Sequence, residues 1–192
     1  MRIVAGLARG IHLDSPGAIV RPTSDRVKES VFGMLEPLVG LTVVDLFAGS
    51  GALGLEALSR GAAAVYWVEL LPRHCRGIAD NLARVQKSMG NEAATAATAR
   101  IVTGDAVQAA RLLAGVTPDL VLADPPYVPG PRQRGADELL TSEAFRVWLG
   151  GARLVLEQAE QSPPSPEALA RWTIEREREY GNTRIYFLRA AE

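Results

Sequence analysis

A single cysteine, Cys75, among 192 residues rules out an intramolecular disulfide, and the natural setting for such a chain is the cytoplasm. Long apolar runs are missing too. The opening Met1-Arg2-Ile3-Val4-Ala5-Gly6 lacks the hydrophobic core of a signal peptide, and no later stretch is long enough to span a bilayer. Nor is there an excess of charge of one sign. A formal net charge of −1 gives no strong overall field, so a nucleic-acid partner has to be met by a local basic patch. His12 and His74 have no partners at metal-ligand or triad spacing, and no neighbouring pattern activates Cys75, so no metal site is expected. What is present is an ordinary composition, 47% apolar and 22% charged, long enough for one domain with its own core.

Glycine and proline punctuate the chain into alternating elements. Residues 1–20 read as an extended arm, and Thr23 and Ser24 can cap a helix running to about Glu36 with Val27, Val31, Met34 and Leu35 on one face. Strands are expected over 41–47, 64–69, 101–102, 119–124 and 153–157. Helices are expected over 52–60, from Pro72 to a stop at Gly90, from about 105 to 113, and near 139–149. The Ala/Thr-rich segment 91–100 reads as a solvent-facing connection, and 128–135 and 162–166 read as loops. Two final strands, 172–179 and 184–188, flank Gly181-Asn182, a good hairpin turn. Five strands alternating with helices predict an α/β fold: a mostly parallel sheet covered on both faces, with a C-terminal antiparallel hairpin. One domain over 1–192 is expected, with 1–38 covering a core of 39–192.

In such sheets ligands bind at the carboxyl ends of the strands, and Asp45, Glu69, Asp105 and Asp124 all fall there. Gly49-Ser50-Gly51-Ala52-Leu53-Gly54 matches G-x-G-x-x-G between a strand and a helix, with Glu69 placed to accept ribose hydroxyls. The spacing alone is weak, because a tight strand-to-helix turn needs glycine anyway. Asp45 just before the loop is a poor neighbour for a pyrophosphate but a good one for an ammonium or sulfonium, which favours S-adenosylmethionine over NAD. Asp105 can receive an adenine amine or cap the helix that follows it, and the two are compatible.

Asp124-Pro125-Pro126-Tyr127 closes an apolar strand. As a bare turn it needs only the prolines. The carboxylate before them and the aromatic after them suit a flat amine: the Asp124 side chain and the Pro125 carbonyl accept its hydrogens, and Tyr127 stacks on its ring. Asp124 can also take the proton released on transfer. By charge alone, the basic residues near the N-terminus read as a solvated face.

Asp45 to Gly54 together with Asp124 to Tyr127 resemble the S-adenosylmethionine-dependent amino-methyltransferases of the Rossmann-like class. The opening six residues, the block Arg21-Pro22-Thr23-Ser24-Asp25-Arg26-Val27-Lys28-Glu29-Ser30-Val31-Phe32 and the close Tyr180-Gly181-Asn182-Thr183 narrow it further. They resemble the RsmD-type bacterial enzymes that methylate N2 of a guanine in 16S ribosomal RNA. The resemblance implies a Rossmann-like methyltransferase fold and a cofactor pocket of Asp45, Phe47, Gly49, Gly51, Glu69, Asp105 and Ala106 with Thr23. It implies catalysis at Asp124, Pro125, Pro126 and Tyr127, with S-adenosylhomocysteine as product. The block around Arg21, Thr23 and Arg26 is then expected to cover the site, with Arg132 and Arg134 as further RNA contacts. The implied partner is 16S rRNA in the small ribosomal subunit or its assembly intermediate, met by a monomer without a membrane. The segment near Asn91 and the proline-rich loop near Ser162 are peculiar to this chain and leave the motifs intact.

Other enzymes share parts of this pattern. Adenine-N6 DNA methyltransferases usually add a target-recognition region, and none is visible between Gly54 and Asp124. Protein-glutamine methyltransferases commonly carry asparagine where Asp124 stands. An NAD-dependent oxidoreductase draws support only from the glycine loop and Glu69, and a non-catalytic RNA-binding module leaves the Asp124 motif unexplained.

Overall fold

A computed structural model describes residues 1–15, 25–127 and 133–191. Two short apolar runs meet at its centre. Strands β1 (Thr42–Leu46) and β4 (Leu120–Ala123) lie side by side in parallel, and nearly every residue of both is buried. Continuous burial is what a strand covered on both faces requires, and it explains why neither shows polar alternation. On one flank come β2 (Ala64–Glu69) and β3 (Thr98–Thr103); on the other, β5 (Arg153–Ala159) and the hairpin of β6 (Trp172–Tyr180) and β7 (Thr183–Ala190). The order is β3-β2-β1-β4-β5-β7-β6, parallel except where β7 pairs with β5 and β6.

Alternate residues of each strand feed two cores, as the two-residue period of a strand dictates. Val43, Val65, Trp67, Leu120 and Leu122 face one layer; Val44, Leu46, Val68, Val121 and Leu154 face the other. The first layer holds helices α1 (Asp25–Leu35), α2 (Ala52–Ser59) and α3 (Pro72–Met89). Val27, Val31 and Leu35 of α1 recur every four residues and are buried, and Pro72 opens α3 where its missing N–H costs nothing. After α3 comes α4 (Asn91–Ala96), ahead of β3. The second layer holds α5 (Ala109–Leu112), α6 (Ala136–Thr141) and α7 (Glu143–Leu149), and α8 (Pro166–Leu169) follows β5. Among the described residues, no helix is long and apolar enough to cross a membrane.

Four sequence expectations change. Segment 91–100 is not a plain connection, since α4 occupies its first part and β3 already starts at Thr98. The single helix near 139–149 is two helices, because Ser142 leaves helical geometry to accept the Phe145 amide at 3.3 Å and cap α7. The helix after Asp105 begins as a 3-10 turn, Ala106–Gln108. The fifth strand runs on to Ala159, drawn out by its pairing with β7.

The N-terminal arm is fastened down. Glu56 on α2, fully buried, accepts the amides of Val4 at 2.8 Å and Ala5 at 3.0 Å and pairs with Arg60 at 2.8 Å. Ser59 Oγ accepts the Ala8 amide at 2.9 Å and donates to the Ala5 carbonyl at 2.6 Å. Gly6 is required there: its φ is +81°, and a Cβ would lie 1.9 Å from the Ser59 carbonyl oxygen.

Candidate active site

The chain leaves β1 through a strained turn. Phe47, at φ 57°, is the one non-glycine residue with positive φ among those described. Such a conformation persists only where the surroundings over-determine it. Here the Ala48 amide donates to the Val68 carbonyl at 3.2 Å and the Gly51 amide to the Ala48 carbonyl at 2.6 Å. Asp45 holds the far side of the turn by accepting the Gly54 amide at 2.8 Å on Oδ2. At 1% exposure, burial pushes the Asp45 carboxyl up to about 8; the Gly54 amide opposes this and the Glu69 charge reinforces it.

Gly51 and Gly54 are explained by packing from inside the protein. A Cβ at Gly54 would sit 2.3 Å from the Trp67 indole nitrogen, and one at Gly51 would sit 2.9 Å from an Ile78 methyl carbon. The loop approaches β2 and α3 as closely as backbone allows. At Gly49, φ 54°, the amide donates to Glu69 Oε2 at 2.9 Å, tying the loop to the end of β2. Glu69 Oε1 accepts the Leu71 amide at 2.9 Å and lies 3.3 Å from His74 Nδ1. His74 therefore has a place beside the site that its sequence spacing did not reveal. Asn81, a buried polar residue on α3, donates to the Ser50 carbonyl at 3.1 Å and exchanges hydrogen bonds with Asp14. Hydrophobic periodicity passes over such a residue.

Asp105 caps the 3-10 turn by accepting the Val107 amide at 3.0 Å on Oδ1. Its Oδ2 lies 3.3 Å from Arg134 Nε, and Ala106 beside it is buried. Arg134 thus sits against the end of β3, the cofactor side of the expected site. Arg26 lies on the exposed face of α1. Arg21, Thr23 and Arg132 lie outside the described residues.

At the end of β4, Asp124 is half-buried and its carboxyl is pushed well above the ordinary range, first by burial and then by the charges of Glu157 and Asp45. Pro125 is buried, and Pro126 and Tyr127 are half-buried. The Tyr127 hydroxyl donates to Glu157 Oε1 at 3.3 Å and bonds the Thr183 side chain, and burial raises its pKa further above its ordinary value. Glu157, on β5 and 7% exposed, is a site residue that the sequence pattern did not announce, since it ends an apolar run like any surface-bound turn. Lys28, read by charge alone as part of a solvated face, corrects that expectation. It is fully buried under α1, lines a small cavity with Leu122, Ala123 and Glu157, donates to the Arg2 carbonyl and lies 3.5 Å from Asp25.

The arrangement is a bowl of carboxyls at or near the carboxyl ends of five neighbouring strands: Asp45, Glu69, Asp105, Asp124 and Glu157. The first two lie beside a loop of backbone amides; Asp124 opens the proline turn and Glu157 meets its Tyr127 hydroxyl. This donor set fits a ligand carrying positive charge and ribose hydroxyls; the cluster would repel a pyrophosphate.

The family model described as conserved hypothetical protein 95 matches residues 1–189. The chain is 35% identical over 194 residues to the ribosomal RNA small subunit methyltransferase D of Escherichia coli K12, covering 97% of this chain and 89% of that one. It is 30% identical to the Bacillus subtilis protein YlbH, with 96% of each covered. The solved structure of Escherichia coli yhhF superposes with a TM-score of 0.70 at 32% identity, over 100% of this chain and 99% of that one.

Proposed function

The chain belongs to the conserved hypothetical protein 95 family, the RsmD-type methyltransferases, and from that premise we propose that it methylates the exocyclic N2 amine of a guanine in 16S ribosomal RNA. The observation that carries this reading is the Asp124-Pro125-Pro126-Tyr127 turn in a bowl of carboxyls, one strand from the strained Phe47 loop. S-adenosylmethionine, when bound, supplies an electrophilic methyl group on a sulfonium. Asp45, Phe47, Gly49, Gly51, Glu69, Asp105 and Ala106 would hold it, with Glu69 taking the ribose and Asp105 the adenine.

The remaining work falls to this chain's own groups. A guanine amine is a poor nucleophile because its lone pair is delocalised into the ring. Hydrogen bonds from that amine to the Asp124 carboxylate and the Pro125 carbonyl favour a tetrahedral nitrogen and aim its lone pair. Proline supplies this carbonyl without a competing N–H. Tyr127, its hydroxyl held by Glu157, presents a fixed ring face for the base to stack on. Asp124 takes the amine proton, a role suited to a carboxyl whose proton affinity is raised.

The substrate is the RNA within the small ribosomal subunit or its assembly intermediate. A net charge of −1 offers little non-specific grip on bare RNA, so a pre-shaped target is favoured. An NAD-dependent reaction draws support only from the glycine loop and Glu69, and leaves the Asp124 turn unexplained. Calorimetric titration with S-adenosylmethionine and with NAD, followed by labelled methyl transfer to small-subunit particles from cells lacking the enzyme, tests the reading. Saturable NAD binding with no response to S-adenosylmethionine overturns it.

A further inference from the structure

Strand register puts two acids next to each other at the mouth of the bowl. β4 and β5 are parallel with Ala123 opposite Leu156, so the residues that follow lie side by side, Asp124 just past the end of β4 and Glu157 within β5. Both lie against Tyr127, whose hydroxyl donates to Glu157 at 3.3 Å. Across β7, Glu157 is opposite Ile185 and near Thr183, neither charged. From the other elements it is faced by Asp124, by Tyr127 and by Lys28 of α1, which shares its cavity, with Asp45 of β1 behind Asp124.

We propose that Glu157 is a positioning residue of the methyl-transfer site, holding the Tyr127 hydroxyl with its carboxylate while its charge makes the adjacent Asp124 a better acceptor for the proton leaving the amine. The proposal rests on the methyl-transfer reading above. In that transfer the amine nitrogen forms a bond to the methyl carbon, the carbon–sulfur bond breaks with its electron pair left on sulfur, and one amine proton passes to Asp124 and then to water. Asp124 alone, at an ordinary carboxylate value, is a weak acceptor near neutral pH. Beside a second buried carboxylate it holds the proton more tightly, and the Tyr127 hydrogen bond keeps that second charge in place.

The test is the pH dependence of the single-turnover rate on small-subunit particles at saturating S-adenosylmethionine. Glu157→Gln keeps the shape and an acceptor for Tyr127 but removes the charge. Its plateau rate is expected to fall about tenfold. Its acid limb is expected to move to lower pH by roughly one unit. Cofactor affinity is expected to stay within about twofold, since β5 lies two strands away from β1 and the glycine loop that follows it. Glu157→Asp, which keeps the charge, should keep the wild-type limb. A limb that does not move in Glu157→Gln overturns the proposal, whatever happens to the rate. Should Glu157→Gln fail to fold, Tyr127→Phe decides. It removes only the hydroxyl that holds the Glu157 carboxylate beside Asp124, so the limb should move in the same direction as in Glu157→Gln, to lower pH, and an unmoved limb overturns the proposal. Failure of the underlying reading would look different: wild-type enzyme would leave the particles unmethylated.

Discussion

The Gly54 amide donates to Asp45 Oδ2 at 2.8 Å, so the carboxyl that opens the glycine loop is spent on holding that loop against its own helix. Asp45 is almost fully buried and its folded-state value is raised to about 8 from 3.8. The folded protein therefore holds more protons than the unfolded chain between these two values. This contribution to stability is fully present below about pH 4 and is lost as pH rises through about 8. In Asp45→Asn the amide oxygen still accepts from Gly54 but cannot ionise. Chemical denaturation of the ligand-free protein between pH 5 and 8 should show a shallower decline in stability for Asp45→Asn than for wild type. Parallel slopes would show that Asp45 does not titrate in this window.

Gly54→Ala places a methyl group 2.3 Å from the Trp67 indole nitrogen, inside the packed layer between α2 and β2. Overpacking of this kind costs about 1–3 kcal/mol. Thermal unfolding should register the loss with no ligand present. An unchanged Tm would return the glycine to the role its motif suggests, clearance for a bound cofactor.

Glu69 accepts two loop amides and lies 3.3 Å from His74, so it is both a cofactor candidate and a fastening of the loop. Glu69→Gln brings an N–H₂ group against one of those amide donors. Calorimetry should show S-adenosylmethionine binding weakened by about 1–3 kcal/mol, with a smaller change in the transfer rate at saturation. Equal affinity in the variant would remove Glu69 from the cofactor site.

Much of this was legible in the sequence because the elements it concerns are governed locally. β2 runs over Ala64–Glu69 and α3 from Pro72 to Met89, where apolar spacing, proline and glycine mark them. The RsmD-type family and its fold were legible through motifs at both ends of the chain, and the comparisons bear both out. The break at Ser142 was missed because a capping serine between two apolar stretches looks like a helical surface position. Glu157 and Asn81 were missed, and Lys28 was read as part of a solvated face, for a different reason. Each gains its place from strand register or from the arm folded across α2, and such long-range relations leave no periodic trace. The glycine loop taught the opposite lesson: its motif was visible, but the atoms demanding glycine at Gly51 and Gly54 belong to Trp67 and Ile78.

Under the proposed function, small basic features such as Arg26 and Arg134 would orient a shaped target better than they capture bare RNA, because non-specific affinity scales with the phosphates neutralised. Small-subunit particles should be methylated much faster than protein-free 16S transcript at physiological salt. Arg134→Ala, which frees Asp105 from its partner at 3.3 Å, should raise the apparent KM for particles more than that for cofactor. Equal rates on particle and transcript would contradict the argument from charge.

The central claim is that Asp124 and its turn carry methyl transfer to a guanine amine. It is tested most directly by digesting 16S RNA from labelled reactions to nucleosides and identifying the labelled species by mass spectrometry, for wild type and Asp124→Ala. Wild type should yield N2-methylguanosine at a single position. Asp124→Ala should lose that product while S-adenosylmethionine affinity stays nearly intact. Label in N6-methyladenosine or in protein, or an undiminished yield from Asp124→Ala, would contradict the claim.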